Sequence, residues 1–476
     1  MKKFIYTIIL LVIIGTVNLC IIHKKNDNNS DAKYVEIINE YILNDNGSID
    51  FIHHHKVKLN TYYAIRHLGD DRIIYNPKYQ KIEILKSETK MNDGTIVETP
   101  ENGFNEVLPR CATKAPSYNH LREMVVTHTG LDLGSTIDFT YSLHAEKEFL
   151  PALMGEEIFS TFYPVGKMIV KITVPTEKTM NYKMFNSTKK VKIKEDDNTK
   201  TYIWKFKNIP AVIHENNQSE IGNFSPRLVF STLESWENLA EYLKIMSDKS
   251  MKNDEKLKSN IEKDLSKKDD DLLKIIELQK KINENIGLTN CSPLTYGYKP
   301  KSISKTFNEN NGTALDKSLL LVTYLKLSDI DATPVFISKY NEFAKEVPSL
   351  FQFDNFLISH KDTTEVIYII PNHEQTNNYK FNIENKTVFD FNNISKPLTK
   401  IEKDNKNQNF QILNLNLNIK DDLTLTGDYE LNYSGVFNPY FTLFEDEKNA
   451  ESNAKKIING TIENSEIVKM NQKKSV

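Results

Sequence analysis

Few residues in this chain could supply a thiol nucleophile. There are three cysteines, Cys20, Cys111 and Cys291, and Cys20 sits inside an uncharged run at the N-terminus. No CxxC pair exists, which excludes a cysteine zinc site, and two remaining cysteines make no disulfide framework. A Cys111–Cys291 bridge in an oxidising compartment and a pair of buried free thiols both fit; buried thiols are the expectation. The stretch "NNGTALDKSLLLVTYLKLSDIDATPVFIS", residues 310–338, has the layout of a nucleophile site. A glycine permits a sharp entry, a buried helix begins, and a strand follows. A helix N-terminus would stabilise a thiolate there, yet the residues present are Thr313-Ala314-Leu315. The triplet His53-His54-His55 could chelate only through His53 and His55, because neighbours on a strand point to opposite faces. With no third ligand at a recognisable spacing, partly exposed strand histidines are expected.

The elements that would position these residues are legible in the pattern. The 476 residues suggest about three domains, and the net charge of -3 with only five arginines (Arg66, Arg72, Arg110, Arg122, Arg227) argues against a nucleic-acid partner. Residues 4–22, "FIYTIILLVIIGTVNLCII", carry no charge and follow Lys2-Lys3. As a helix they would span about 28 Å, the thickness of a bilayer's hydrocarbon core. An uncleaved anchor, a signal peptide and a lipoprotein cleaved before Cys20 are three readings of residues 1–25, and all export the rest.

From 34 to 225 the pattern is β. "KIEILKSETKMNDGTIVETP" turns at Asn92-Asp93-Gly94, and "STIDFTYSLHAE", "GKMIVKITVP" and "KKVKIKEDDNTKTYIWKFKN" alternate as strands. From 226 to 287 it reads as helical: Trp236, Leu239, Leu243 and Met246 recur at helical spacing, as do Leu272, Ile275, Ile276, Leu278 and Ile282. Thr313 and Asp316 fit a capping box. The run Leu319–Val322 with Leu325 is too continuous for a surface helix, so this helix is expected to be central, with Lys317 on the exposed side of its first turn. "ATPVFIS", "FDNFLISHK" and "TEVIYIIP" read as strands, giving an α+β layer. Beyond 376, "LNLNLNIK" sets Leu413, Leu415, Leu417 and Ile419 opposite asparagines, "LTLTGDYELNYSG" forms a second strand, and "EDEKNAESNAKKIING" reads as an exposed helix.

The N-terminal β region, through "YNPKYQKIEILKSETKMNDGTIVETP" and "LREMVVTHTGLDLGSTIDFTYSL", resembles the domain of unknown function 3857, which commonly precedes a transglutaminase-like domain in exported bacterial proteins. Residues 226–375 resemble that second domain, and the tail is similar to the β region that follows it. The resemblance implies a multidomain β and α+β chain. Its parts are a segment at 1–25, an antiparallel β-sandwich-like domain at 34–225, a papain-like α+β domain at 226–375 and a C-terminal β region at 376–476.

Transglutaminase-like enzymes use a Cys-His-Asp triad. At the matching positions this sequence has Ala314, Asn355 (in Phe353-Asp354-Asn355) and Ile370 (before Pro371). A methyl group cannot attack, and an amide cannot serve as a base near neutral pH. His360 and His373 stand at odd offsets from the lost positions and do not replace them. The resemblance therefore implies a pseudoenzyme without cofactor or metal. It would be anchored through residues 4–22 on the outer side of a bacterial membrane and serve as a structural or binding module for a peptide, protein or glycan. Two other readings stand beside it: a thiol hydrolase or acyl transferase using Cys291, and a truncated paralogue without selected function.

Overall fold

The structure is a computed structural model. It describes residues 30–216, 218–252, 255–263, 265, 270–361, 366–372, 383–402 and 410–434, and short stretches between 452 and 469. The membrane segment expected at 4–22, His373 and most of the expected C-terminal helix lie outside the described residues. Among the described residues no helix is long and apolar enough to cross a membrane. The chain divides into two compact units.

The first unit is Met1–Tyr242 with Thr289–Lys299 and Ala344–Gln352. Its strands are β1 (Ala32–Leu43), β2 (Ile49–Leu59), β3 (Asp70–Tyr75), β4 (Gln80–Lys90), β5 (Ile96–Glu98), β6 (Phe104–Val107) and β7 (Arg122–Thr127). They continue with β8 (Thr136–Ala145), β9 (Met154–Ile158), β10 (Val165–Pro175), β11 (Asn181–Phe185), β12 (Lys192–Glu195), β13 (Thr199–Ile209) and β14 (Arg227–Ser231), and a short helix α1 (Tyr62–Leu68) follows β2. Eight strands form one sheet in the order β12-β13-β10-β1-β2-β8-β4-β5, and two three-stranded sheets are β3-β7-β6 and β11-β14-β9.

Alternation explains the main core. Val57 and Leu59 of β2 and Ile137 and Phe139 of β8 pack with Ala64 of α1, Ile73 of β3 and Val126 of β7. The expected turn at Asn92-Asp93-Gly94 joins β4 to β5, with Gly94 at φ +93. The sheet departs from an antiparallel sandwich in one place, because β1 pairs with β10 in parallel. A second correction concerns Arg227–Ser231, read above as the start of a helical region. It is a strand with all five residues buried, hydrogen-bonded to β11 on one side and β9 on the other. A strand covered on both faces shows no alternation to read.

The second unit is Leu243–Leu288, Pro300–Phe343 and Phe353–Val476. Helix α2 (Trp236–Ser250) enters it, followed by α3 (Glu255–Lys263) and α4 (Asp271–Asn285). Then come the two-residue β15 (Gly287–Leu288), α5 (Ile303–Glu309), the two-residue β16 (Asn311–Gly312), and α6 (Ala314–Leu327). An antiparallel sheet in the order β19-β18-β17-β20-β21 combines β17 (Ala332–Ser338), β18 (Phe353–Lys361), β19 (Val366–Ile369), β20 (Thr387–Phe389) and β21 (Leu398–Lys400). Helix α6 packs on β17 and β18 and touches α3, α4 and α5. Leu315 through Leu325 are all buried, so α6 is central, as its unbroken apolar run requires. The hairpin β22 (Phe410–Ile419) with β23 (Leu425–Ser434) pairs Leu413 with Leu431, Leu415 with Tyr429 and Ile419 with Leu425, leaving the asparagines on the other face.

Candidate functional site

The head of α6 is built by close approach. A Cβ on Gly312 would lie 2.8 Å from Asp316 Cβ and 3.0 Å from Thr306 Cγ2, so only glycine fits. Thr313 is the N-cap. Its Oγ1 accepts from Asp316 N at 3.3 Å, while Thr313 N donates to Asp316 Oδ2 at 2.8 Å, a complete capping box. Asp316 is fully buried, and its Oδ1 also accepts from Lys301 N at 2.9 Å. Ala314 is the first residue of the helix, half-buried, where the amides and dipole would favour an anion.

Lys317 corrects an expectation. It is not on the exposed side of the first turn; it is 1 % exposed, and Nζ donates to Asn283 Oδ1 at 2.9 Å and to Ile286 O at 2.8 Å. Burial pulls its pKa down to about 8. The first turn of α6 is enclosed by α4 and the residues after it, so this helix has no solvated face at Lys317.

The other two positions lie on the neighbouring sheet. Asn355 is on β18, exposed, opposite Ile337, and its Oδ1 accepts from Phe356 N at 2.9 Å. Ile370 follows β19; its side chain packs against a cluster containing Val335, Ile337 and Leu357, and its carbonyl accepts from Gln279 Nε2 at 2.6 Å. Ala314, Asn355 and Ile370 thus belong to one unit, on α6, β18 and the end of β19, with β18 and β19 paired. No side-chain hydrogen bond can join the three, since Ala314 and Ile370 have no polar side-chain atom. His360 is buried, with Nδ1 2.6 Å from Asp331 O, so it serves the end of β18.

The cysteines correct a second expectation. Cys111 and Cys291 are joined in a disulfide across 180 residues, with Cα atoms 5.0 Å apart, and are not free thiols. The bridge sits in the first unit among Ala112, Ala115, Tyr118, Leu121 and Tyr296. A disulfide sulfur is no nucleophile, so Cys291 as found here cannot form a thioester.

The histidine triplet lies on β2 as expected, with His53 and His54 partly exposed, and only His55 departs from the expectation by being buried. His54 faces one side of the sheet, beside Thr140 at 2.9 Å and Asp138 at 3.7 Å. His53 and His55 face the other, where they belong to a chain of buried and half-buried polar groups. Tyr41 donates to Glu157 at 2.6 Å, and Asn39 Nδ2 donates to both Glu157 oxygens at 2.8 Å. His53 Nδ1 lies 2.6 Å from Asn39 Oδ1, and His53 Nε2 lies 3.1 Å from His55 Nδ1. His55 Nε2 and His128 Nε2 lie 3.5 and 2.9 Å from Asp71, and His128 Nδ1 is 3.1 Å from Ser87 Oγ.

Burial sets the charges in this chain. It lowers the pKa of His53 to about 3, lowers that of His55, and raises that of Glu157 to about 7. The two triplet imidazoles are therefore neutral at neutral pH and act as hydrogen-bonding groups. Among the described residues no group of three or more His, Cys, Asp or Glu side chains is arranged to hold a metal ion. Sequence reasoning missed this chain because its members come from five strands, β1, β2, β3, β4 and β9, and from His128 just past the end of β7, and only the His53/His55 period was visible.

Comparison with known proteins bears on the first unit and on the overall fold. The family model of the domain of unknown function 3857 matches residues 45–213. No curated protein matches the chain. A crystal structure described as a "putative protease" from Parabacteroides distasonis matches with a TM-score of 0.70 and 28% identity, covering 78% of this chain and 72% of that one. An M1 zinc metallopeptidase from Deinococcus radiodurans matches with a TM-score of 0.24 and 11% identity over 43% of each chain, too little to carry an argument.

Proposed function

We propose that this chain is a catalytically inactive transglutaminase-like protein of the bacterial cell envelope. It is held at the membrane by residues 4–22 and works outside the cytoplasm as a binding or structural module for a peptide, protein or glycan. The observation that carries this reading is Ala314 at the first position of α6, behind an intact Gly312 entry and a complete capping box. The local structure that would activate a nucleophile is kept while the nucleophile is a methyl group. Asn355 in place of a base, Ile370 packed into an apolar cluster, and Cys291 locked in a disulfide support the same reading.

The "putative protease" description belongs to the Parabacteroides distasonis chain. A fold shared with it does not transfer hydrolysis, because activity resides in the site residues. The disulfide also weighs against the thiol-hydrolase alternative, in which Cys291 would attack.

The purified full-length protein is expected to show no transamidation of glutamine substrates and no peptide hydrolysis. Ala314→Cys is expected to stay inactive too, since no base or orienting acid accompanies the new thiol. Turnover by the wild-type protein that Cys291→Ala abolishes would overturn the reading. Turnover by Ala314→Cys alone would overturn the assignment of Asn355 as the lost base.

A further inference from the structure

The two ends of the eight-stranded sheet differ in chemistry. Pairing of Ala32 with Leu59, Lys58 with Thr136, Lys90 with Ile96 and Val165 with Ile209 defines one end. Pairing of Leu43 with Ile49, Gln80 with Ala145 and Pro175 with Thr199 defines the other. At the first end Tyr62, Tyr63, Ile96, Phe162 and Ile213 are each more than half exposed, and Leu133 is 39% exposed. The loops at the other end carry no exposed large hydrophobic side chain and hold Asp45, Glu146, Glu148, Glu177, Asp196 and Asp197 against Lys78, Lys147 and Lys178, an acidic excess.

The apolar residues belong to one rim. Val212 N donates to Thr161 O at 2.9 Å, and the Phe162 and His214 rings are 6.0 Å apart. Burial first, and then the neighbouring Tyr63, push the pKa of Tyr163 up, and Gly134 N donates to Leu59 O at 2.7 Å. Lys33, Lys58 and Lys90 lie in one row across this end, and Arg66 and His67 are exposed on α1; Asp93, Asp132 and Glu215 are interspersed.

The described chain also begins at this rim. Asn60 Nδ2 donates to Ser30 O at 2.9 Å, and Thr61 Oγ1 donates to Asp31 Oδ1 at 2.8 Å, immediately before Tyr62. Only the seven residues His23–Asn29 separate Ser30 from the uncharged run 4–22. Fully extended they span about 25 Å, less than the roughly 40 Å length of β1. A run embedded in a bilayer would therefore keep this end of the sheet nearer the lipid than the acidic end. Exposed tyrosine, phenylalanine and isoleucine beside lysine and arginine are the side chains that settle at a headgroup boundary.

We propose that this rim, centred on Tyr62, Tyr63, Phe162 and Ile213, is a lipid-contacting surface that docks the first unit on the phospholipid interface with its acidic end away from the membrane. The proposal rests on the reading of residues 4–22 as a membrane anchor.

The test places a fluorescent reporter at each end. The full chain carrying Phe162→Trp, Tyr62→Trp or Asp45→Trp is reconstituted in phosphatidylcholine–phosphatidylglycerol vesicles with and without brominated acyl chains. The native Trp204 and Trp236 are buried and supply the common background. Brominated lipid is expected to quench the two rim reporters about twofold and to leave the Asp45→Trp reporter unchanged. An alkaline wash of the same vesicles separates the two hypotheses. A chain that is retained, but whose rim reporters match the Asp45→Trp reporter, overturns the lipid surface alone. Rim reporters that are blue-shifted yet unquenched place protein on the rim and also overturn it. A chain that washes off overturns the anchor, and the docking surface with it.

Discussion

Lys317 offers the sharpest quantitative test of the second unit. Its ammonium group is buried against two neutral acceptors, Asn283 Oδ1 and Ile286 O, and its pKa falls from 10.5 to about 8. The sign follows from linkage. Between about pH 8 and 10.5 the unfolded chain holds a proton at this site that the folded chain has lost, so stability rises with pH through that window. Below pH 8 both states are protonated and the desolvation penalty is fully present. For folded and unfolded values of about 8 and 10.5, the rise from pH 7 to pH 9.5 is about 2 kcal/mol, or roughly 1–2 kcal/mol after relaxation and water entry.

Lys317→Met removes the charge and keeps most of the volume, at the cost of two unpaired acceptors worth about 1–3 kcal/mol each. At pH 7 the lost penalty and the orphaned acceptors nearly cancel, so the variant is expected within about 2 kcal/mol of wild type. At pH 9.5 it should have fallen behind wild type by roughly a further 1–2 kcal/mol. Urea unfolding at the two pH values, in a Cys20→Ser background so that Cys20 cannot exchange with the bridge, measures this difference. Tyrosines and other lysines titrate equally in both proteins and drop out. Equal pH dependence for wild type and variant would mean that Lys317 is not a buried charge and that the first turn of α6 is solvated.

The same helix should rank two other substitutions: Thr313→Ala is expected to cost about 0.5–2 kcal/mol through the lost cap. Leu319→Ala, at a fully buried position, should cost about 2–5 kcal/mol through transfer energy and a cavity, and a neutral result in denaturant melts would mean α6 is not central. His53 and His55 have lowered pKa values, so the stability their neutral forms contribute is present above the unfolded value of 6.5 and is lost as pH falls below it. A His53→Asn variant should accordingly show a weaker loss of stability between about pH 6.5 and 4 in thermal melts, and an unchanged acid slope would refute neutral burial. Cys291→Ala should destabilise the first unit by up to about 5 kcal/mol, the closure entropy of a 180-residue loop. Its signature would be a lower unfolding midpoint that wild type reproduces on reduction.

Local rules were enough for much of this molecule. The turn at Asn92-Asp93-Gly94, the strands β8, β10, β13, β17 and β18, the helix α4, the hairpin β22–β23 and the capping box of α6 are all short-range events. Period, turn chemistry and capping depend on residues within a few positions of one another, so a single chain displays them. The identities Ala314, Asn355 and Ile370 were equally readable, because they need only a position and a side chain. What tertiary structure alone decided has a common cause in distance along the chain. The parallel pairing of β1 with β10, the Cys111–Cys291 bridge and the chain from Glu157 through His53 to His128 join residues far apart in sequence. Lys317 was misread for the same reason. Its place on α6 follows from helical geometry, but its burial depends on Asn283 and Ile286, which lie about thirty residues earlier and leave no mark on the helix's own pattern.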